Sequence, residues 1–222
     1  MSDIVLTLTS FPKRLNSLPK ILKAWQDQMS MPVALYLSLD EYPERENSIN
    51  KDVLHEFVKL NVQLHFRPGN EKGFKSFFAG LDYPNTWLLQ TDDDMYPGSK
   101  SMEQYISLHE AHPSAFISCS KMVAVRGSGT LYNASMLNAR YLNDMPSAVP
   151  YILDDVWLEF WTRYAKIPII SGNIERIPIM ELWKNGLTTG KDCSQMINNI
   201  FRFLQTKYPV EYKSVRSSKG WL

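Results

Sequence analysis

Four short apolar runs recur in the first 98 residues, and each is followed by a stretch with helical spacing or by a polar block; no other feature restricts the fold as much. The runs are Ile4 to Thr9, Val33 to Leu39, Val62 to Phe66 and Trp87 to Thr91. The first stops at Ser10-Phe11-Pro12 and the second at Asp40-Glu41-Tyr42-Pro43, breaks of the kind that end buried strands. Between the runs, three sets of residues mark helix faces: Leu15, Leu18, Ile21, Leu22 and Trp25; Val53, Leu54, Phe57 and Val58; Phe74, Phe77, Phe78 and Leu81. Ser17 and Pro19 suit the cap and first turn of the first helix. Strands alternating with helices in this way predict an α/β fold, a Rossmann-like, mostly parallel sheet flanked by helices.

The pattern loosens after residue 98. A helix is expected near Met102 to Glu110, a strand near Ala115 to Ser118, irregular sequence from Arg126, and a helix carrying Val156, Trp157, Phe160, Trp161 and Tyr164. The basic, Ser-rich end from Lys213 to Leu222 reads as a mobile tail or docking peptide. A chain of 222 residues fits one domain, with a first half over about 1–98, a second over about 99–212 and the tail over 213–222. A net charge of +1 gives no global field to gather nucleic acid, so none is expected as a partner. Met1-Ser2-Asp3 brings no basic leader, and no run of about 18 apolar residues occurs. A cytoplasmic protein without a transmembrane segment is expected, with peripheral contact at the inner face of the membrane left open. Cys119 and Cys193 lack CxxC spacing and read as reduced structural thiols.

Ligands of open α/β sheets bind beyond the carboxyl ends of the strands. Three of those ends are polar here: Thr9-Ser10, Asp40 and Asp92-Asp93-Asp94. In an extended chain Asp92 and Asp94 project to one side and Asp93 to the other. Two carboxylates so placed form a hard-oxygen site for Mg²⁺ or Mn²⁺. The plain alternative is an acidic turn that solvates a loop, but three like charges beside the apolar Trp87-Leu88-Leu89 call for a compensating cation.

The opening LTLTSFPKR, the Pro68-Gly69-Asn70-Glu71-Lys72-Gly73-Phe74-Lys75 segment, the TDDDMYP block and Asp154-Asp155-Val156-Trp157 occur in that order. Together, over about residues 4 to 165, they resemble a bacterial group of GT-A glycosyltransferases related to family 2, with a DxD motif. That resemblance implies a nucleotide-diphospho-sugar transferase whose first half binds the donor and whose second half binds the acceptor. It places Thr7, Thr9 and Ser10 at a base or ribose pocket, with Arg14 nearby and Asp40 at the nucleoside. Lys72 and Lys75 lie in the segment that would approach the donor, where Lys75 either compensates phosphate charge or is a solvated lysine on a helix face. Asp92 would touch ribose or metal-bound water beside Asp93, and Asp94 would ligate Mn²⁺ or Mg²⁺. Asp155 takes the place of the catalytic base, with Asp154 as cap, or the two roles are exchanged. A further metal ligand, often His in relatives, has no match, because His55, His65, His109 and His112 all precede the base. Asn185, Asp192 or water would replace it. Arg126 to Thr130 is either an acceptor loop or a flexible connection. Trp157 and Trp183 would stack on sugar faces or belong to the core.

The function implied is metal-dependent transfer of a sugar from a nucleotide-sugar, a UDP-sugar first, to a saccharide or lipid-linked saccharide. Inversion of configuration and a place in surface glycan or polysaccharide synthesis go with it. A nucleotidyltransferase acting on sugar phosphates is the alternative enzyme, although no Gly-rich phosphate loop follows the first strand. An inactive carbohydrate-binding homologue is the non-catalytic alternative. A glycoside hydrolase would need a flanking carboxyl pair instead of adjacent acids at one strand end.

Overall fold

The structure, a computed structural model, describes residues 4–69, 72–120, 129–144, 154–183 and 193–217. Its first half runs β1 (Ile4–Thr9), α1 (Pro12–Leu15), α2 (Leu18–Gln26), β2 (Val33–Ser38), α3 (Lys51–Lys59), β3 (Val62–Arg67), α4 (Ala79–Asp82), β4 (Trp87–Gln90) and β5 (Met95–Pro97). The second half continues with α5 (Ser101–Ala111), β6 (Phe116–Ser118), β7 (Thr130–Tyr132), α6 (Arg140–Asn143), α7 (Asp154–Tyr164), β8 (Ile169–Ser171), β9 (Arg176–Pro178), α8 (Met180–Trp183), α9 (Cys193–Lys207) and α10 (Pro209–Arg216).

Seven strands form one sheet in the order β3-β2-β1-β4-β7-β6-β8. The first four are parallel, β7 runs antiparallel to both β4 and β6, and β8 is parallel to β6, so the sheet is mostly parallel and flanked by helices. β1, β2 and β4 are buried almost throughout because helices cover both faces, which explains their uninterrupted apolar runs. At the edge, β3 is half-exposed. α2 turns Leu18, Ile21, Leu22 and Trp25 into the core. Ser17 makes no side-chain cap bond there, whereas the Asn50 side chain accepts from the Asp52 amide at 2.8 Å and caps α3.

The expected helix from Phe74 to Leu81 is mostly a 3-10 helix over Lys72–Phe78, followed by the short α4. Phe74 and Phe77, one 3-10 turn apart, are buried, while Leu81 in α4 is exposed. Gly80 lets this segment approach the 3-10 turn Ala134–Met136 after β7 closely, since a Cβ there would stand 2.6 Å from Ala134 Cβ. The second half packs around aromatic side chains. Tyr208, between α9 and α10, lies 5.2 Å from Trp161 and 6.1 Å from Trp157, ring centre to ring centre. Residues 213–216, expected in a tail, are the last turn of α10, with Val215 buried. Among the described residues no helix is long and apolar enough to cross a membrane.

Candidate active site

The chain leaves β1, builds β2 and β3 on one side of it, then returns to β4 on the other. The connections therefore part between β1 and β4, and a crevice opens beyond the carboxyl ends of these two strands. Ser10 and Arg14 enter that crevice from the β1 side, and Asp92, Asp93 and Asp94 from β4. They meet across it. Ser10 Oγ donates to Asp93 Oδ2 at 2.6 Å, Arg14 Nη1 pairs with Asp93 Oδ1, and the same nitrogen stands 3.0 Å from Asp94 Oδ2. Arg14 Nη2 donates to the Leu182 carbonyl of α8 at 2.8 Å, and the guanidinium lies 5.0 Å from the centre of the Phe11 ring.

β4 ends at Gln90, and residues 93 and 94 form a turn, so the extended-chain alternation does not hold through the triplet. Asp93 and Asp94 both reach Arg14 as a result, and both are buried, while Asp92 is half-buried. Burial pushes the Asp93 carboxyl above its ordinary range, against the opposing pull of Arg14 and Ser10. One guanidinium faces two carboxyl groups here.

The remaining candidate residues divide by position. Thr7 is fully buried and donates to the Ser76 carbonyl at 3.1 Å; Thr9 donates to the Tyr36 carbonyl at 2.7 Å. Asp40 is exposed beyond β2. Lys75 is buried, with Nζ 3.5 Å from Glu41 Oε2. Lys72 belongs to the 3-10 helix. Asp154 and Asp155 open α7, and Asp155 is half-buried. Asn185, Asp192 and residues 126–128 of the expected acceptor loop lie outside the described residues. Trp157 is core: it is fully buried, and its indole N–H donates to the Tyr141 carbonyl at 3.0 Å.

Three partners in this region carry no sequence signal of their own. Glu41 meets Lys75 only because β2 and the 3-10 helix adjoin, and the Leu182 carbonyl is a backbone group. Arg176 of β9 donates to Thr91 Oγ1, packs 4.6 Å from the Trp25 ring, and so braces the strand end just before the triplet. β9 also pairs with β5, and the Ile179 amide donates to the Asp94 carbonyl at 2.8 Å. The acidic turn is thus held by the first βα loop on one side and by the β9–α8 segment on the other.

A mostly parallel sheet flanked by helices, with an acidic turn at its switch point, defines an α/β fold, and comparison with solved structures places it among glycosyltransferase folds. The mannosyltransferase PcManGT from Pyrobaculum calidifontis, in complex with GDP-Man and Mn²⁺, aligns with a TM-score of 0.55 at 12% identity, over 77% of this chain and 56% of that one. The S. aureus TarS 1-349 structure with UDP aligns with a TM-score of 0.54 at 12% identity, over 99% of this chain and 76% of that one. The TarS structure with UDP-GlcNAc gives 0.51 at 12%, over 96% and 78%. The chain spans little more than half of PcManGT and about three quarters of the TarS fragment. No protein-family model and no curated protein sequence matches it. At these identities the likeness establishes the fold.

Proposed function

We propose that the protein is a glycosyltransferase that moves a sugar from a nucleotide-sugar donor to a hydroxyl acceptor with the help of a divalent cation. The observation that carries this reading is the acidic turn at the β1/β4 switch point, cross-linked to Ser10 and Arg14, on a fold shared with transferases solved with GDP-Man and with UDP-GlcNAc. Carboxylate oxygens at a strand end fit Mn²⁺ or Mg²⁺. Asp92 and Asp94 would hold the ion. Among the described residues no group of three His, Cys, Asp or Glu side chains is arranged around one point; the ion would complete its shell with water and donor phosphate oxygens. When bound, the ion neutralises charge on the departing diphosphate.

The protein's own groups have separate tasks. The polar ends of β1 and β2, Thr9-Ser10 and Asp40, border the nucleoside side of the crevice. Lys75 supplies positive charge toward the phosphates from the 3-10 helix. Asp155, at the start of α7 in the second half, takes the proton from the acceptor hydroxyl as that oxygen attacks the anomeric carbon. Attack from the face opposite the leaving group inverts the configuration. A UDP-sugar is the first donor to try, and a saccharide or lipid-linked saccharide the first acceptor, in surface glycan synthesis.

Product identity tests the reaction class. Incubation with Mn²⁺ and a panel of nucleotide-sugars should release nucleoside diphosphate. Release of pyrophosphate from a sugar phosphate and a nucleoside triphosphate would instead assign nucleotidyl transfer. Tight donor binding without turnover, with and without added saccharides, would assign a non-catalytic carbohydrate-binding protein.

A further inference from the structure

The resemblance placed Arg14 near the nucleoside, but its donor groups are turned toward the acidic turn and α8. From that geometry we infer that Arg14 is a positioning residue: it selects which carboxylate of the triplet faces a divalent cation, and it ties that carboxylate to the β9–α8 segment. The inference rests on the proposed donor site.

The contacts divide the triplet unequally. Asp93 is only 6% exposed, and both of its oxygens are engaged, Oδ1 by Arg14 and Oδ2 by Ser10 at 2.6 Å. Asp94 meets Arg14 through Oδ2 alone. With both Asp93 oxygens engaged, Asp94, itself buried beside it, is the carboxylate of this pair left to offer an oxygen to a cation. Arg14 performs this with one nitrogen and extends the other to the Leu182 carbonyl at 2.8 Å. The Asp94 carbonyl is fixed from the same segment by the Ile179 amide at 2.8 Å. The guanidinium reaches these acceptors through two nitrogens, with the Phe11 ring beside it; an ammonium is a point charge and does not reproduce the fork. A cation that takes up Asp94 Oδ2 withdraws one of the two carboxylates that share Arg14 Nη1. Arg14 carries that change to Leu182. The clamp thus couples occupancy of the acidic turn to a segment of the second half, where the acceptor is expected to bind.

Calorimetry with Mn²⁺ alone, on variants whose folding is checked by melting, tests the first part. Arg14→Met and Asp93→Asn should each weaken Mn²⁺ binding about 10- to 100-fold, the range expected when the partner that orients a metal ligand is removed. The double variant should bind no more weakly than the weaker single one, because both changes remove the same contact. Arg14→Lys should keep the fold but not the affinity, and it carries the test if the Met variant does not fold. Hydrogen exchange tests the second part: amides of residues 179–183 should slow on addition of Mn²⁺ in the wild type and respond less in either Arg14 variant. Wild-type Mn²⁺ affinity in both Arg14 variants, or losses that add in the double variant, would overturn the inference. A wild type that binds Mn²⁺ but turns over no nucleotide-sugar would sink the functional reading and leave the clamp standing. A wild type that binds neither Mn²⁺ nor Mg²⁺ would sink both.

Discussion

Asp82, at the end of α4, gathers side chains from β2 and the edge strand β3: it accepts from Tyr36 at 2.7 Å and from Arg67 at 2.6 Å, and its Oδ2 lies 3.3 Å from His65 Nδ1. His65 also stacks on Tyr36 at 4.7 Å, and its Nε2 is 3.2 Å from the Tyr83 hydroxyl. Burial lowers the His65 pKa and outweighs the attraction of Asp82, with Arg67 adding to the lowering. For Asp82, burial opposes the charged form, but the bonds from Arg67 and Tyr36 leave its pKa below the ordinary value. Both groups therefore bind fewer protons folded than unfolded, and stability rises with pH through their titration. The His65 share is complete above about pH 6.5 and is lost as pH falls toward its lowered folded value, whereas the Asp82 share is lost in stronger acid. Melting between pH 7.5 and 5 should show His65→Gln with a shallower acid decline than the wild type, His109 keeping its own part because burial lowers its pKa as well. Equal slopes would contradict this. The same contrast between residue type and placement governs the candidate site. The acidic triplet and Ser10 were legible as polar residues at strand ends, and Arg14 through the resemblance, but their mutual contacts were not. The sequence does not reveal that the chain turns at residues 93 and 94, and that turn sends Asp93 inward beside Asp94.

At the level of elements, α7 carries a second testable role. Its first two residues are Asp154 and Asp155, and a carboxylate at a helix start is stabilising without any catalytic duty. The two readings separate kinetically. Asp155→Asn should leave donor affinity intact while turnover falls by about 10² to 10⁴. Measured beside it, Asp154→Asn should retain most of its turnover. Near-normal turnover in the Asp155 variant, with a lower melting temperature, would return Asp155 to a capping role. The elements themselves were legible where packing follows a simple period. β1 runs over the expected residues, and α2, α3, α5 and α7 fall where apolar spacing put them. Two kinds of element escaped. The segment before β4 satisfies an α-helical spacing nearly as well as a 3-10 one, and the close approach of Gly80 to Ala134 accompanies the tighter form. β9, α8, α9 and α10 carry short or diffuse patterns, and their burial comes from distant partners, as with Tyr208 against α7.

For the whole molecule, four parallel strands led to the expectation of a mostly parallel sheet, and the antiparallel β7 follows from a connection that returns from β6 without a helical crossover's length of well-patterned sequence. The order β3-β2-β1-β4 matters most for function, because it creates the crevice between β1 and β4 where the two sides of the site meet. Strand order cannot be read from hydrophobic periodicity, which reports burial and not neighbours. The central claim is that the acidic turn in this crevice binds a nucleotide-sugar through a divalent cation held by Asp94. Titration calorimetry of UDP-GlcNAc and GDP-mannose into the wild type and Asp94→Asn, each with and without Mn²⁺, tests it most directly. The account predicts saturable binding of at least one donor by the wild type in Mn²⁺ only, and none by the variant; binding to the variant with wild-type affinity, or equal wild-type binding without metal, would contradict it.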